Sequence, residues 1–179
     1  IDNVRFGVES GDEEIRKTVL NKGRHLTDEK ILNCARLLHK YKIKFLAYNM
    51  MAFPTETYEQ AWKTIKMNQK MKPATVTISI LYLYPYLAIT DLALSKGLID
   101  KKDIDMIEKP PYNYHVSLLA LHPERNKDIY KICNLQKFAI LVIRFPFLEP
   151  LVRILCKLPN NSFFNFIYLA TQAWEWRNW

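Results

Sequence analysis

Val4-Arg5-Phe6-Gly7-Val8-Glu9-Ser10-Gly11 decides how the rest of the chain is read. A short apolar run stops at a polar, glycine-bearing turn, and a helical pattern follows at once. This is the outline of a strand entering a βα junction, where α/β enzymes place reactive groups. The strand lies at the start of a chain that opens on Ile1 rather than Met, and it needs partners on both sides. That placement predicts the C-terminal part of a longer protein.

Working outward, residues 3–9 read as the first strand. Ser10 and Glu13 have capping-box spacing and open a short helix to about Leu20, and Gly23 ends that turn. Thr27 caps a longer helix with Asp28 and Glu29 in its first turn and Ile31, Cys34, Ala35, Leu38 and Tyr41 along its apolar face. Ile43 to Ala52 is the second strand, stopped by Pro54. Thr57 and Gln60 form another capping box, and Ala61, Trp62, Ile65 and Met71 mark the buried face of the helix they open. Thr75 to Tyr84, rich in β-branched and aromatic residues, is the third strand. Pro85 breaks it, and a helix runs from about Leu87 to Gly97. Strands separated by helices of this length imply βαβ units and a parallel sheet. Three strands leave two open edges, which again predicts further strands upstream.

The pattern changes near residue 100. The sequence predicts an α/β unit over 1–100, a charged connection over 101–122 containing Pro110-Pro111, and a helical region over 123–179. Pro123 suits a first helical turn. Helices are predicted over about 123–144, 147–157 and 161–176, with Pro146, Pro150 and Pro159 near the joints.

The 179 residues are 49% apolar and 25% charged, with a net charge of +8 and a pI near 9.3. Disorder is excluded by that apolar content, and the positive charge favours anionic partners. No nucleic-acid recognition motif accompanies it, so nucleic acid is not an expected partner. Cys34, Cys133 and Cys156 have no metal-ligand spacing and read as buried small hydrophobes. His25, His39, His115 and His122 are scattered and read as surface or capping groups. With no secretory signal, a cytoplasmic chain is predicted. From Asn126 onward there are seven Lys/Arg against three Asp/Glu, a local net of +4, among many aromatic residues. Such a surface either packs on the rest of the protein or lies peripherally on an anionic membrane.

Each strand ends in polar or sharply turning residues: Glu9-Ser10-Gly11, Asn49 through Glu56, and Tyr82 through Pro85. In a parallel sheet these ends share one rim. The same segments, in order, resemble the radical SAM enzymes, specifically the group with an N-terminal cobalamin-binding domain. Phe6-Gly7-Val8-Glu9-Ser10-Gly11 is similar to that family's fourth barrel strand. Tyr48-Asn49-Met50-Met51-Ala52-Phe53-Pro54-Thr55-Glu56-Thr57 is similar to its fifth strand and turn. Tyr84-Pro85-Tyr86 with Lys96-Gly97-Leu98-Ile99 is similar to its sixth strand and following helix. Arg144-Phe145-Pro146-Phe147 and Lys157-Leu158-Pro159 resemble its tail.

The resemblance implies the second half of a partial (β/α)6 TIM-like barrel followed by an all-helical C-terminal region. It implies S-adenosylmethionine, a [4Fe–4S] cluster held by a CxxxCxxC segment outside this chain, and cobalamin bound by an upstream domain. The parent would generate a 5′-deoxyadenosyl radical for methylation or another C–H transformation of a small-molecule or lipid-like substrate. This chain alone would be inactive without the missing N-terminal half. The resemblance assigns Glu9, Ser10, Asn49, Ala52, Pro54, Glu56, Leu81 and Tyr82 to the S-adenosylmethionine site. Glu9 and Ser10 would lie near the ribose and methionine portions, although Ser10 also serves as a helix cap. Asn49 faces either the barrel interior or a polar core partner. Glu56 is either a ligand or a group placed at a helix N-terminus, and Leu81 and Tyr82 pack on adenine or within the core. The family has glycines where this chain has Ala52 and Thr55, and Pro-Gly-Thr where it has Tyr86-Leu87-Ala88. These departures motivate the alternative: a non-catalytic, membrane-peripheral interaction protein with a degenerate barrel.

Overall fold

Phe45, Ala47, Asn49 and Met51 alternate along one face of a strand and all are buried, so this face needs a covering layer. The computed structural model, which describes residues 3–23, 25–105 and 117–177, supplies that layer with helices. The order is β1 (Asn3–Glu9), α1 (Glu13–Thr18), α2 (Asp28–Lys40), β2 (Lys44–Met51), α3 (Tyr58–Met71) and β3 (Thr75–Ile80). Then come α4 (Ala88–Ser95), α5 (Lys101–Asp105), a 3-10 turn (Leu118–Leu121) and α6 (Ile129–Arg144). A second 3-10 turn (Pro146–Leu148), α7 (Glu149–Leu155) and α8 (Ser162–Arg177) complete the described chain. The fold is α/β, with three parallel strands in the order β1-β2-β3 alternating with helices and more helices after them. Pro110-Pro111 and His115, part of the expected connection, lie outside the described residues.

Local signals hold at α2 and α3. Thr27 Oγ1 accepts from Lys30 N–H, and Thr57 with Gln60 forms a complete capping box. Ser10, in contrast, is not the cap of α1. Its Oγ accepts from Asp12 N–H at 3.1 Å, and Asp12 is the cap, accepting from Ile15 N–H at 2.9 Å. The turn after β1 consumes two more residues before the helix begins, so the Ser10–Glu13 spacing is incidental.

Val8, Phe45 and Ala47 pack with Ile31, Ala35, Met67 and Met71, which seats α2 and α3 on the sheet. Val76, Ile78 and Ile80 on β3 continue that face and pack with Leu135, Phe138 and Val142 of α6. This second apolar cluster runs from Ile15 through Met51 and β3 to Val152 and Phe164 in the last helices. The outer edge of β3 is not left free. Glu175 of α8 accepts from Val76 N–H at 2.8 Å, and Gln136 of α6 donates to Ile78 C=O at 2.9 Å. Arg144 pairs with Glu175 and donates to the carbonyls of Pro73 and Ala74, both at 2.9 Å. Helices here do what a neighbouring strand would do for an exposed edge.

The first C-terminal helix starts at Ile129, not near Pro123. Asn126 explains the delay: its amide donates at 3.0 Å to the carbonyls of Leu98, Leu119 and His122, holding 122–126 in turns. Cys133 and Cys156 are buried as expected, whereas Cys34 is exposed on α2. β3 ends at Ile80, four residues earlier than its composition implies. No described helix is long and apolar enough to cross a membrane.

Candidate functional site

The second face of the sheet carries Arg5, Tyr48 and Ser79, all exposed, although parallel sheets are ordinarily covered on both faces. Where this face meets the C-terminal ends of the strands, each βα junction contains a non-glycine residue in the left-handed region. These are Glu9 (φ 66°), Ala52 (φ 66°) with Thr55 (φ 68°), and Tyr86 (φ 65°). Such backbone is costly for an L-residue, and it also occurs away from the rim, at Asn21, Lys42 and Lys72.

At the first junction the β1–β2 register shifts between Gly7 and Glu9. The Glu9 carboxylate folds back over Gly7, so that a Cβ on Gly7 would lie 2.7 Å from Glu9 Oε1. Lys22 Nζ meets the same oxygen at 3.1 Å. Glu9 is thus a half-buried carboxylate on the accessible face, with one cation beside it. Ser10 is fully buried and spent on the turn. Gly11 admits no side chain, because any Cβ would collide with the Lys63 carbonyl and Thr64 Cα of α3. Its N–H donates to Thr64 Oγ1 at 2.8 Å.

Asp12 ties this junction to α3 through Lys63 at 2.7 Å and Gln60 at 3.2 Å. Burial works against the Asp12 carboxylate, but Lys63, the Ile15 N–H and Gln60 outweigh it and hold its pKa below the ordinary value. Arg16 is the larger surprise. It is fully buried, donates to Leu26 C=O at 2.8 Å and Ser10 C=O at 2.6 Å, and pairs with Asp28. A single guanidinium thereby joins the β1 turn, the loop before α2 and the first turn of α2. Sequence reading passed over Asp12, Arg16 and Lys63. Only Arg16's place between two carboxylate-bearing helix starts hinted at such a role.

At the second junction Glu56 accepts through Oε2 from Ala52 N–H at 2.6 Å and Phe53 N–H at 3.1 Å. Its Oε1 is buried with no partner. Burial pushes the Glu56 pKa up to about 8 against the pull of the two N–H groups, so the carboxyl is largely protonated at neutral pH. Ala52 and Pro54 are buried beside it. A cleft of about 240 Å³ opens between this turn and the start of α6, lined by Phe53, Thr55, Glu56, Arg125 and Asp128 among others. Asp128 accepts from Tyr58 N–H at 3.0 Å, which docks α6 onto the start of α3.

Asn49 does not face the accessible side. Its Nδ2 is 3.3 Å from Thr77 C=O, and its Oδ1 accepts from Asn68 Nδ2 at 3.0 Å, within the helix-covered layer. The alternation of β2 puts it on the same face as Ala47 and Met51. It is a core residue with a polar partner. At the third junction Leu81 is buried and its N–H donates to Met51 C=O at 2.8 Å. Tyr82 is half-buried and packs edge-on to Tyr84, with ring centroids 4.9 Å apart.

The structure therefore brings Ala52 and Glu56 into one hydrogen-bonded turn, sets Glu9 on the accessible face, and withdraws Ser10 and Asn49 from it. The cysteines make a poor cluster site. Cys34 is exposed on α2, and burial raises the thiol pKa of Cys133 and that of Cys156, the latter to about 11, against the thiolate a metal requires. His122 also departs from expectation, since Asp103 lies 2.7 Å and Glu124 3.4 Å from its ring nitrogens. No protein-family model matches the chain, and no curated protein matches its sequence.

Proposed function

We propose that this chain is the second half of a radical SAM barrel and that its strand-end rim forms part of an S-adenosylmethionine site. The observation that carries this reading is the backbone of the β2–α3 turn. Ala52 and Thr55 adopt the left-handed conformation that glycine favours, at the two positions where the resemblance has glycine. The turn keeps a glycine-like path although its residues have changed. A parallel sheet with one accessible face and a carboxylate, Glu9, over its rim is also what a site completed by further strands requires. Glu9 would accept hydrogen bonds from ribose hydroxyls or the methionine ammonium. Leu81 and Tyr82 would offer an apolar wall to adenine, and Glu56 would hold the turn rather than contact the cofactor. The cluster that supplies the radical would be held by residues outside this chain, and cobalamin by an upstream domain. Substrate would be a small or lipid-like molecule.

The test begins with the coding sequence upstream of Ile1. A CxxxCxxC after a strand pattern is the expected finding. The reconstituted parent should then show a reduced-cluster electron paramagnetic resonance signal that changes on adding S-adenosylmethionine, and Glu9→Ala should weaken that response. An upstream region without the three cysteines would refute the reading.

A second reading has one specific observation in its favour. Phe163, Phe166, Leu169, Trp174 and Trp176 of α8 are exposed, with Leu151 and Ile154 of α7. A non-catalytic protein lying on an anionic membrane would use such a surface with the basic charge around it. Co-sedimentation of the parent with anionic liposomes at low salt tests it; no binding would sink it.

A further inference from the structure

A cavity of about 630 Å³ lies between α6 and the segment joining α7 to α8, away from the strand-end rim. Its walls include Ala120, Tyr130, Cys133, Cys156, Leu158 and Pro159. Four lysines, Lys127, Lys131, Lys137 and Lys157, also line it, and no lining residue among the described residues is acidic. The size and the mostly apolar wall with a few polar groups are those of a small-molecule site.

Lys137 is the informative member. It is only 3% exposed, yet its ammonium donates to the Asn160 side chain and meets no carboxylate among the described residues. Burying an ammonium without a counter-charge is costly, and burial does lower its pKa. Lys127 and Lys157 also lack carboxylate partners among the described residues, whereas Lys131 is held by Asp128 at 2.9 Å. Surface lysines alone would be a solvated patch. A buried lysine that lines an apolar cavity, with an amide oxygen but no carboxylate beside it among the described residues, leaves its charge open to an anion.

We propose that this cavity binds an aliphatic chain ending in an anionic group, the anion seated at Lys137 and the chain along Ala120, Cys133, Cys156 and Leu158. Either a carboxylate or a phosphate monoester satisfies this chemistry. The charge complementarity commits the head, and the apolar wall commits the tail. A free inorganic anion meets only the first requirement, and a neutral long-chain alcohol only the second. The proposal does not depend on S-adenosylmethionine binding, because it uses none of the rim residues.

The test is displacement of a fluorescent fatty-acid probe from the 179-residue chain, titrated separately with dodecanoate, dodecyl phosphate, dodecanol and inorganic phosphate. At least one of the two anionic amphiphiles should compete at micromolar concentration, and which of them competes better assigns the head group. Dodecanol should be at least ten-fold weaker, and inorganic phosphate should not compete. Lys137→Met should weaken the better ligand by ten-fold or more. Lys157→Glu, an exposed substitution with little risk to folding, should weaken it in the same direction. Equal competition by dodecanol, full competition by inorganic phosphate, no binding of any amphiphile, or unchanged affinity in Lys157→Glu and in a folded Lys137→Met protein would each overturn the proposal.

Discussion

Replacing Glu56 by Gln removes one titrating proton from a buried carboxyl of the strand-end rim and changes almost nothing in shape. Glutamine retains an oxygen that can accept from the Ala52 and Phe53 N–H groups, as Glu56 Oε2 now does. What it removes is the pH dependence. Glu56 titrates at about 8 when folded and at 4.5 as a free side chain, because burial disfavours the charge. Between those pH values the folded chain holds a proton that the unfolded chain has released, so stability falls as pH rises. The stabilisation is fully present below about pH 4.5 and lost as pH passes through about 8. A gap of about 3.5 pH units at ~1.36 kcal/mol per unit gives a loss on the order of 5 kcal/mol across the window. The assay is urea unfolding of wild type and Glu56→Gln at intervals from pH 4.5 to 8.5, read as the difference between the two so that other titrating groups cancel. The wild type should lose stability relative to the variant steadily as pH rises, and the variant should be the more stable protein at pH 8.5. A difference that stays flat with pH would refute the account of Glu56 as a buried, neutral acid.

Three further substitutions probe the same rim. Gly11→Ala forces a Cβ into the α3 backbone at Lys63 and Thr64 and should cost about 3 kcal/mol in chemical denaturation; an effect near zero would mean that the β1 turn does not dock on α3 as described. Arg16→Met leaves the Ser10 and Leu26 carbonyls without their donor and should cost about 2–4 kcal/mol, with amide exchange accelerating in α1 and at the start of α2 while β3 is spared; uniform acceleration would argue against a local tie. Ala52→Gly relieves left-handed backbone at φ 66° and should raise Tm, by about 1 kcal/mol in stability, whereas a lower Tm would show that the turn carries no strain.

The parts of this fold legible in the sequence are those set by neighbours within a few residues. Thr27 and Thr57 lie at caps because each meets a backbone N–H three positions on. The parallel order of the strands follows from the helices between them. Where local spacing misled, a competing contact decided the outcome. Ser10 and Glu13 have capping-box spacing, but Asp12 also binds Gln60 and Lys63, forty-eight and fifty-one residues away, and wins the cap. Pro123 suits a helix start, but Asn126 gathers three carbonyls and postpones it. His122 looks like an isolated surface histidine, yet besides Glu124 two residues on, Asp103 reaches it across nineteen residues.

The same distinction explains why the rim itself was only half legible. That three strand ends share one rim is a consequence of topology, which the alternation of elements reveals. Which side chains face the rim is a consequence of long-range pairing, which it does not. Asn49 looks available in sequence and is taken by Asn68. Glu56 looks like a charge at a helix start and is instead an acid folded onto its own turn. The resemblance has glycine where this chain has Ala52 and Thr55, and both residues lie in the left-handed region that glycine favours. A substitution can change the residue and leave the requirement on the backbone in place. At such a position φ, rather than residue identity, records what the backbone requires.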